Sequence, residues 1–157
     1  MLERFDEDAR QRVIGLAADE AKRRGDARIG TEHLLLALLR DPGSFPARAI
    51  GVGVEPAREA LAALDRAALA AIGIEVAHAG SPVPVLTRRR PPFTSGARAV
   101  LKRAVLEARA AKARRIQSRH LLLGVLTCER PDPAAELLAA LGVDPAGVRE
   151  RITGPGR

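Results

Sequence analysis

Three blocks of this 157-residue chain occur twice, in the same order and at nearly the same separation. Phe5-Asp6-Glu7-Asp8-Ala9-Arg10 returns as Phe93-Thr94-Ser95-Gly96-Ala97-Arg98. Ile29-Gly30-Thr31-Glu32-His33-Leu34-Leu35-Leu36 returns as Ile116-Gln117-Ser118-Arg119-His120-Leu121-Leu122-Leu123, and Gly53-Val54-Glu55-Pro56-Ala57 as Gly142-Val143-Asp144-Pro145-Ala146. The offsets are 88, 87 and 89 residues, the mark of a tandem duplication. Any fold must therefore be built from two similar halves. A single repeat of roughly 65 residues buries only a modest core and is marginal alone, so the copies are expected to cover each other's apolar faces.

The residues favour helices. The chain holds 30 Ala and 20 Leu against three Phe and no Tyr or Trp, and Ala and Leu lead the helix scale. Four helices are predicted per repeat. The first spans about 7–24, with Ala9, Val13, Leu16, Ala17 and Ala21 at helical spacing, and ends at Gly25. The second is expected to be capped by Thr31, and its run Leu34–Leu39 is apolar nearly all round, as suits a central helix. A short helix near 47–50 follows, then a longer one from Pro56 burying Leu61, Leu64, Ala68, Leu69 and Ile72. In the second copy Thr94 or Ser95, Ser118, Asp132 and Asp144 are the expected caps. The predicted class is all-α: two pseudo-two-fold-related four-helix repeats, 5–72 and 93–153, packed into one globular domain over 1–153. Residues 73–92, with five prolines or glycines from Gly80 to Pro92, read as a linker, and 154–157 as a disordered tail.

Charge is uneven. Residues 1–72 carry 11 basic and 12 acidic side chains, residues 73–157 carry 15 and 7, and 88–119 hold eleven basic residues against Glu107 alone. The imbalance points to an anionic partner, with nucleic acid as the alternative reading of the 88–119 segment. Against it, no base-stacking aromatics accompany the arginines. No apolar run nears the roughly 20 residues that cross a bilayer, and the N-terminus is no signal peptide. A lone Cys128 fits a reducing compartment, and a cytoplasmic location is expected.

Catalysis finds little footing. His33 and His120 hold equivalent repeat positions, which suggests shared packing or capping. Neither His-x-x-x-His nor Cys-x-x-Cys spacing is present, so no metal or other cofactor is expected. Cys128 and His120 would lie two turns apart on one helix, too far for a dyad. No Gly-x-x-x-x-Gly-Lys-Ser/Thr loop occurs.

The Ile29–Leu36 motif after a first helix introduced by Arg4-Phe5, with Phe93-Thr94 opening a second copy, resembles the double-repeat N-terminal domain of Clp-type AAA+ unfoldases, most of all the ClpC type. The resemblance covers residues 2–153. It implies a non-catalytic module that binds adaptors, tagged substrates or peptide ligands of the Clp proteolysis system. If the chain is complete, it implies a free-standing decoy or accessory of a ClpC unfoldase. It also implies a role for Glu32, with Thr31 and Thr94, in recognising phosphoarginine: carboxylate to guanidinium, helix N–H groups to phosphate. Here the sequence departs from the family. Arg119 replaces the second carboxylate, and a cation there favours phosphate or carboxylate over guanidinium. Asp6 replaces the usual Thr, ahead of Glu7 and Asp8. Weakened binding at no more than one site, Glu32, is the expectation. A second surface, for adaptors or peptides, is expected where the repeats meet, near Leu2, Phe5 and Phe93.

Overall fold

A computed structural model describes residues 2–74 and 90–154, with side chains from Ala9 onward. Leu2 and Phe5 therefore fall outside the described side chains, as do most of the linker and the last three residues. Eight helices are present among the described residues: α1 (Leu2–Arg24), α2 (Thr31–Leu39), α3 (Phe45–Ile50), α4 (Val54–Ala71), α5 (Ser95–Ala110), α6 (Ser118–Leu126), α7 (Pro133–Ala140) and α8 (Pro145–Thr153). None is long and apolar enough to cross a membrane.

In each repeat the first two helices form a hairpin, α1 on α2 and α5 on α6. The short helices cross over. α7 of the second repeat packs on α2 and α4 of the first, while α3 of the first packs on α6 and α8 of the second. The unbroken apolar runs explain this. Leu34–Leu39 and Leu121–Leu126 are buried on every side, because each central helix is covered by its own hairpin partner and by elements of the other copy. Gly124 lets α5 and α6 close up: a Cβ there would stand 2.7 Å from the Val100 carbonyl.

Local chemistry sets the helix starts, with two corrections. Thr94 caps α5, its hydroxyl accepting from Ala97 N–H at 3.1 Å, and Asp132 and Asp144 cap α7 and α8. The caps of α2 and α6, however, are Gly30 and Gln117 rather than Thr31 and Ser118. Both helices instead use the histidine at their third position: Gly30 N–H donates to His33 Nδ1 and Gln117 N–H to His120 Nδ1, each at 2.8 Å.

The fourth helix also differs. α4 begins at Val54, two residues before Pro56, whereas α8 does begin at its proline. The expected buried stripe holds only at Leu61, with Leu64 and Leu69 half-buried; Ala68 is exposed and Ile72 is 72% exposed. α4 is twice the length of α8, and most residues of its last two turns are exposed.

Candidate functional site

The front of α2 gathers most of the sequence-predicted residues. Thr31 is 1% exposed, and its hydroxyl lies between Asp132 Oδ1, to which it donates at 2.7 Å, and Ala134 N–H, from which it accepts at 3.2 Å. Gly96 borders the same spot: a Cβ there would meet Asp132 Oδ2 at 3.2 Å and the Thr31 methyl at 3.3 Å. Thr31 thus ties the starts of α2, α5 and α7 together. Thr94 is half-buried, its hydroxyl on Ala97 N–H and its own N–H on the Ile29 carbonyl at 2.9 Å. With Ile29 N–H on the Pro92 carbonyl at 2.8 Å, this makes a one-residue parallel bridge between Ile29 and Phe93 that joins the repeats. Phe93 is half-buried beneath the Arg90 guanidinium, 5.3 Å from the ring centre.

Glu32 is placed differently. Its carboxylate folds back on Gly30, so close that a Cβ at residue 30 would fall 2.2 Å from Oε2. That oxygen is buried and has no protein hydrogen-bond partner. A side chain at residue 30 would have to displace the flexible Glu32 carboxylate; the equivalent cap of the second repeat is Gln117. Beside it His33 is held at both nitrogens. The Gly30 N–H makes Nδ1 the acceptor, so Nε2 carries the hydrogen and donates it to Asp26 Oδ2 at 2.7 Å. That bond, then Arg24, holds the Asp26 carboxyl below its usual range. Ligand atoms of Asp26, Glu32 and His33 come within 4.8 Å of one another. With both imidazole nitrogens and Asp26 already engaged, a cation would have to break the helix cap to bind.

Arg119, the counterpart of Glu32, lies across the Phe45 ring, 4.8 Å from guanidinium carbon to ring centre. The two positions at the starts of α2 and α6 thus differ in sign and in contacts.

Two carboxylates were not singled out as site residues by sequence reasoning. Glu20 on α1 is 1% exposed and accepts from Arg58 of α4, Nε at 3.1 Å, and from Arg40 at 3.3 Å. Glu107 on α5 is 8% exposed and accepts from Arg149 of α8 at 2.8 Å and Arg103 at 3.2 Å. They are repeat equivalents, 87 residues apart like His33 and His120, and each clamps its hairpin to the last helix of its repeat. Burial pushes the Glu107 carboxyl up, but Arg149 and Arg103 together hold it below its ordinary value.

Two interlocked four-helix copies with matched histidine caps and matched buried carboxylates define the architecture. The profile of the Clp repeat N-terminal domain matches residues 4–130 and again 92–155. The chain belongs to the Clp repeat N-terminal domain family. As a member it is a non-enzymatic domain. The chaperone protein ClpC2 of rice chloroplasts (Oryza sativa subsp. japonica) is 33% identical over 155 residues, 97% of this chain and 15% of that protein. A ClpA homologue, the ATP-binding subunit of an ATP-dependent Clp protease from Cyanidium caldarium, is 32% identical over 155 residues, again 97% of this chain and 16% of that one. This Clp repeat chain thus spans about one sixth of the curated relatives it matches. The crystal structure of the N-terminal domain of the ClpD chaperone from Arabidopsis thaliana superposes with a TM-score of 0.68 over 92% of each chain, at 23% identity, and so supports the fold.

Proposed function

We propose that the chain is a protein-docking module of a Clp proteolysis system, taking up adaptors, tagged substrates or peptides, in a cytoplasmic setting. Supplied apart from an ATPase, it competes with a ClpC-type unfoldase for the same partners. The observation that supports a specific site is the Glu32 carboxylate, with one oxygen unpartnered at the front of α2. A guanidinium is its natural complement, and phosphoarginine presents one. Arg119 has the wrong sign for a second such site. Phe93, with Leu2 and Phe5 nearby in the sequence-based reading, supplies the apolar surface for adaptors or peptides.

Titration calorimetry with phosphoarginine tests this. One weak site at most is expected, lost in Glu32→Gln without a change in melting temperature. Two tight, equivalent sites, or undiminished binding by Glu32→Gln, would refute the assignment to Glu32. Failure to bind phosphoarginine and to recover any Clp adaptor or substrate from extract would retire the docking role. The nucleic-acid alternative rests on the basic 88–119 segment, of which Arg103 pairs with Glu107 and Arg90 lies on Phe93.

A further inference from the structure

A shallow groove of about 350 Å³ runs between α3 and α8, lined by Phe45, Arg48, Ala49, Arg151 and Ile152. Its apolar members are half-buried. Arg119 from the start of α6 extends it by lying over Phe45. Arg48, Arg119 and Arg151 are all exposed. Among the described residues no carboxylate lies within ion-pair distance of any of them, and Arg151 is oriented by donating to the Ala49 carbonyl at 3.1 Å. Two other exposed arginines do find carboxylates: Arg130 forks onto Glu136, and Arg103 reaches Glu107.

The internal repeat supplies a control. α7 on α2 and α4 is the counterpart of α3 on α6 and α8. Read by position along each helix, Arg48 corresponds to Glu136, Arg119 to Glu32, Arg151 to Ala60 and Ile152 to Leu61. The same scaffold therefore carries carboxylates at one pole and only guanidiniums at the other. Helix packing demands neither sign. A cation at the second position of α6 also opposes the helix dipole, so its placement over Phe45 is unfavourable for the helix itself.

We propose that the α3–α8 groove docks an acidic peptide segment, one apolar side chain seated on Phe45, Ala49 and Ile152 with flanking carboxylates on Arg48, Arg119 and Arg151. This rests on the docking role above but not on the Glu32 site. Planar guanidiniums suit carboxylates in bidentate geometry, and a half-buried ring beneath a guanidinium offers the apolar anchor.

The test is fluorescence anisotropy with a labelled peptide of one phenylalanine flanked by glutamates, against a peptide with alanine in its place. The wild-type protein is expected to bind the first at least tenfold more tightly, and each of Arg48→Glu, Arg119→Glu and Arg151→Glu to weaken it about tenfold with unchanged circular dichroism. Lys112→Glu, away from the groove, is expected to leave it unchanged. Equal affinity for both peptides, an equal loss in Lys112→Glu, no binding by wild type, or preference for an oligonucleotide over the peptide would overturn the proposal. Phosphoarginine titration of the same variants reports on Glu32 independently, so failure of one site is distinguishable from failure of the other.

Discussion

Thr31 donates its hydroxyl hydrogen to Asp132 Oδ1 across 2.7 Å, although 101 positions of sequence separate them. The bond crosses from the first repeat to the second, and the same hydroxyl accepts from Ala134 N–H. Thr31→Val keeps the shape but leaves the Asp132 carboxylate short of a donor. It is expected to lower stability by about 1–3 kcal/mol in urea titrations. Thr31→Ser, which keeps the hydroxyl, is expected to stay within about 1 kcal/mol of wild type. A larger loss in Thr31→Ser than in Thr31→Val would show that the methyl group, not the hydrogen bond, matters.

Gly124 faces the backbone of α5 at close range. An alanine methyl there meets the Val100 carbonyl at 2.7 Å, against backbone that has no flexible end to move aside. Gly124→Ala is expected to destabilise by about 1–3 kcal/mol, despite alanine's better helix propensity. A rise in melting temperature would contradict this packing.

The two buried carboxylates are expected to be costly to remove. Glu20→Ala leaves Arg40 and Arg58 without their shared partner, and Glu107→Ala does the same to Arg103 and Arg149. Breaking a buried pair costs about 3–5 kcal/mol, and the partial exposure of these arginines places the loss toward the lower end of that range. Denaturant midpoints of both variants, compared with an exposed control such as Glu59→Ala, measure it.

Acid is expected to weaken the fold through Asp26 and Glu107. Both carboxyls sit below their unfolded values, so their contribution is complete above the unfolded range, about pH 4, and drains away as pH falls through the lowered folded values. Stability measured from pH 6 to pH 2 should fall, and Glu107→Gln should flatten that slope. A parallel curve for wild type and variant would place the acid sensitivity elsewhere.

Cys128 is the single thiol, half-buried, and is pushed up to about 12 by burial and by Asp132. Its reaction with a disulfide reagent at pH 8 should run far slower than that of a free thiol and reach the free rate on unfolding. A rapid reaction of the folded protein would exclude that environment.

Much of this was legible in the residues. The duplication, the helix order, the buried Leu runs and the shared role of His33 and His120 follow from periodicity and matched spacing. The start of α4 did not, because the Gly-Val-acid-Pro-Ala blocks align by letters while the helices align by turns. Counted from each helix start, Arg58 matches Arg149, an offset of 91 rather than 89. The exposed end of α4 escaped for another reason: an apolar stripe shows which face a helix offers but not whether the partner is long enough to meet it. Glu20 was not singled out, and Glu107 only as the lone acid among the basic residues 88–119. Their common offset with the histidines, each followed by alanine, was the available signal. Glu32 was singled out, but its fold-back on Gly30 needs coordinates, as does the seat of Arg119 on Phe45.

The crossing of α3 and α7 into opposite halves has a consequence for how such a chain changes over generations. Neither copy can be deleted, since each supplies a wall the other lacks, so the pair is inherited whole. Yet the interlock constrains only inward-facing side chains. The outer faces of two once-identical units are free to diverge, and one ancestral surface can become two with opposite tastes in charge.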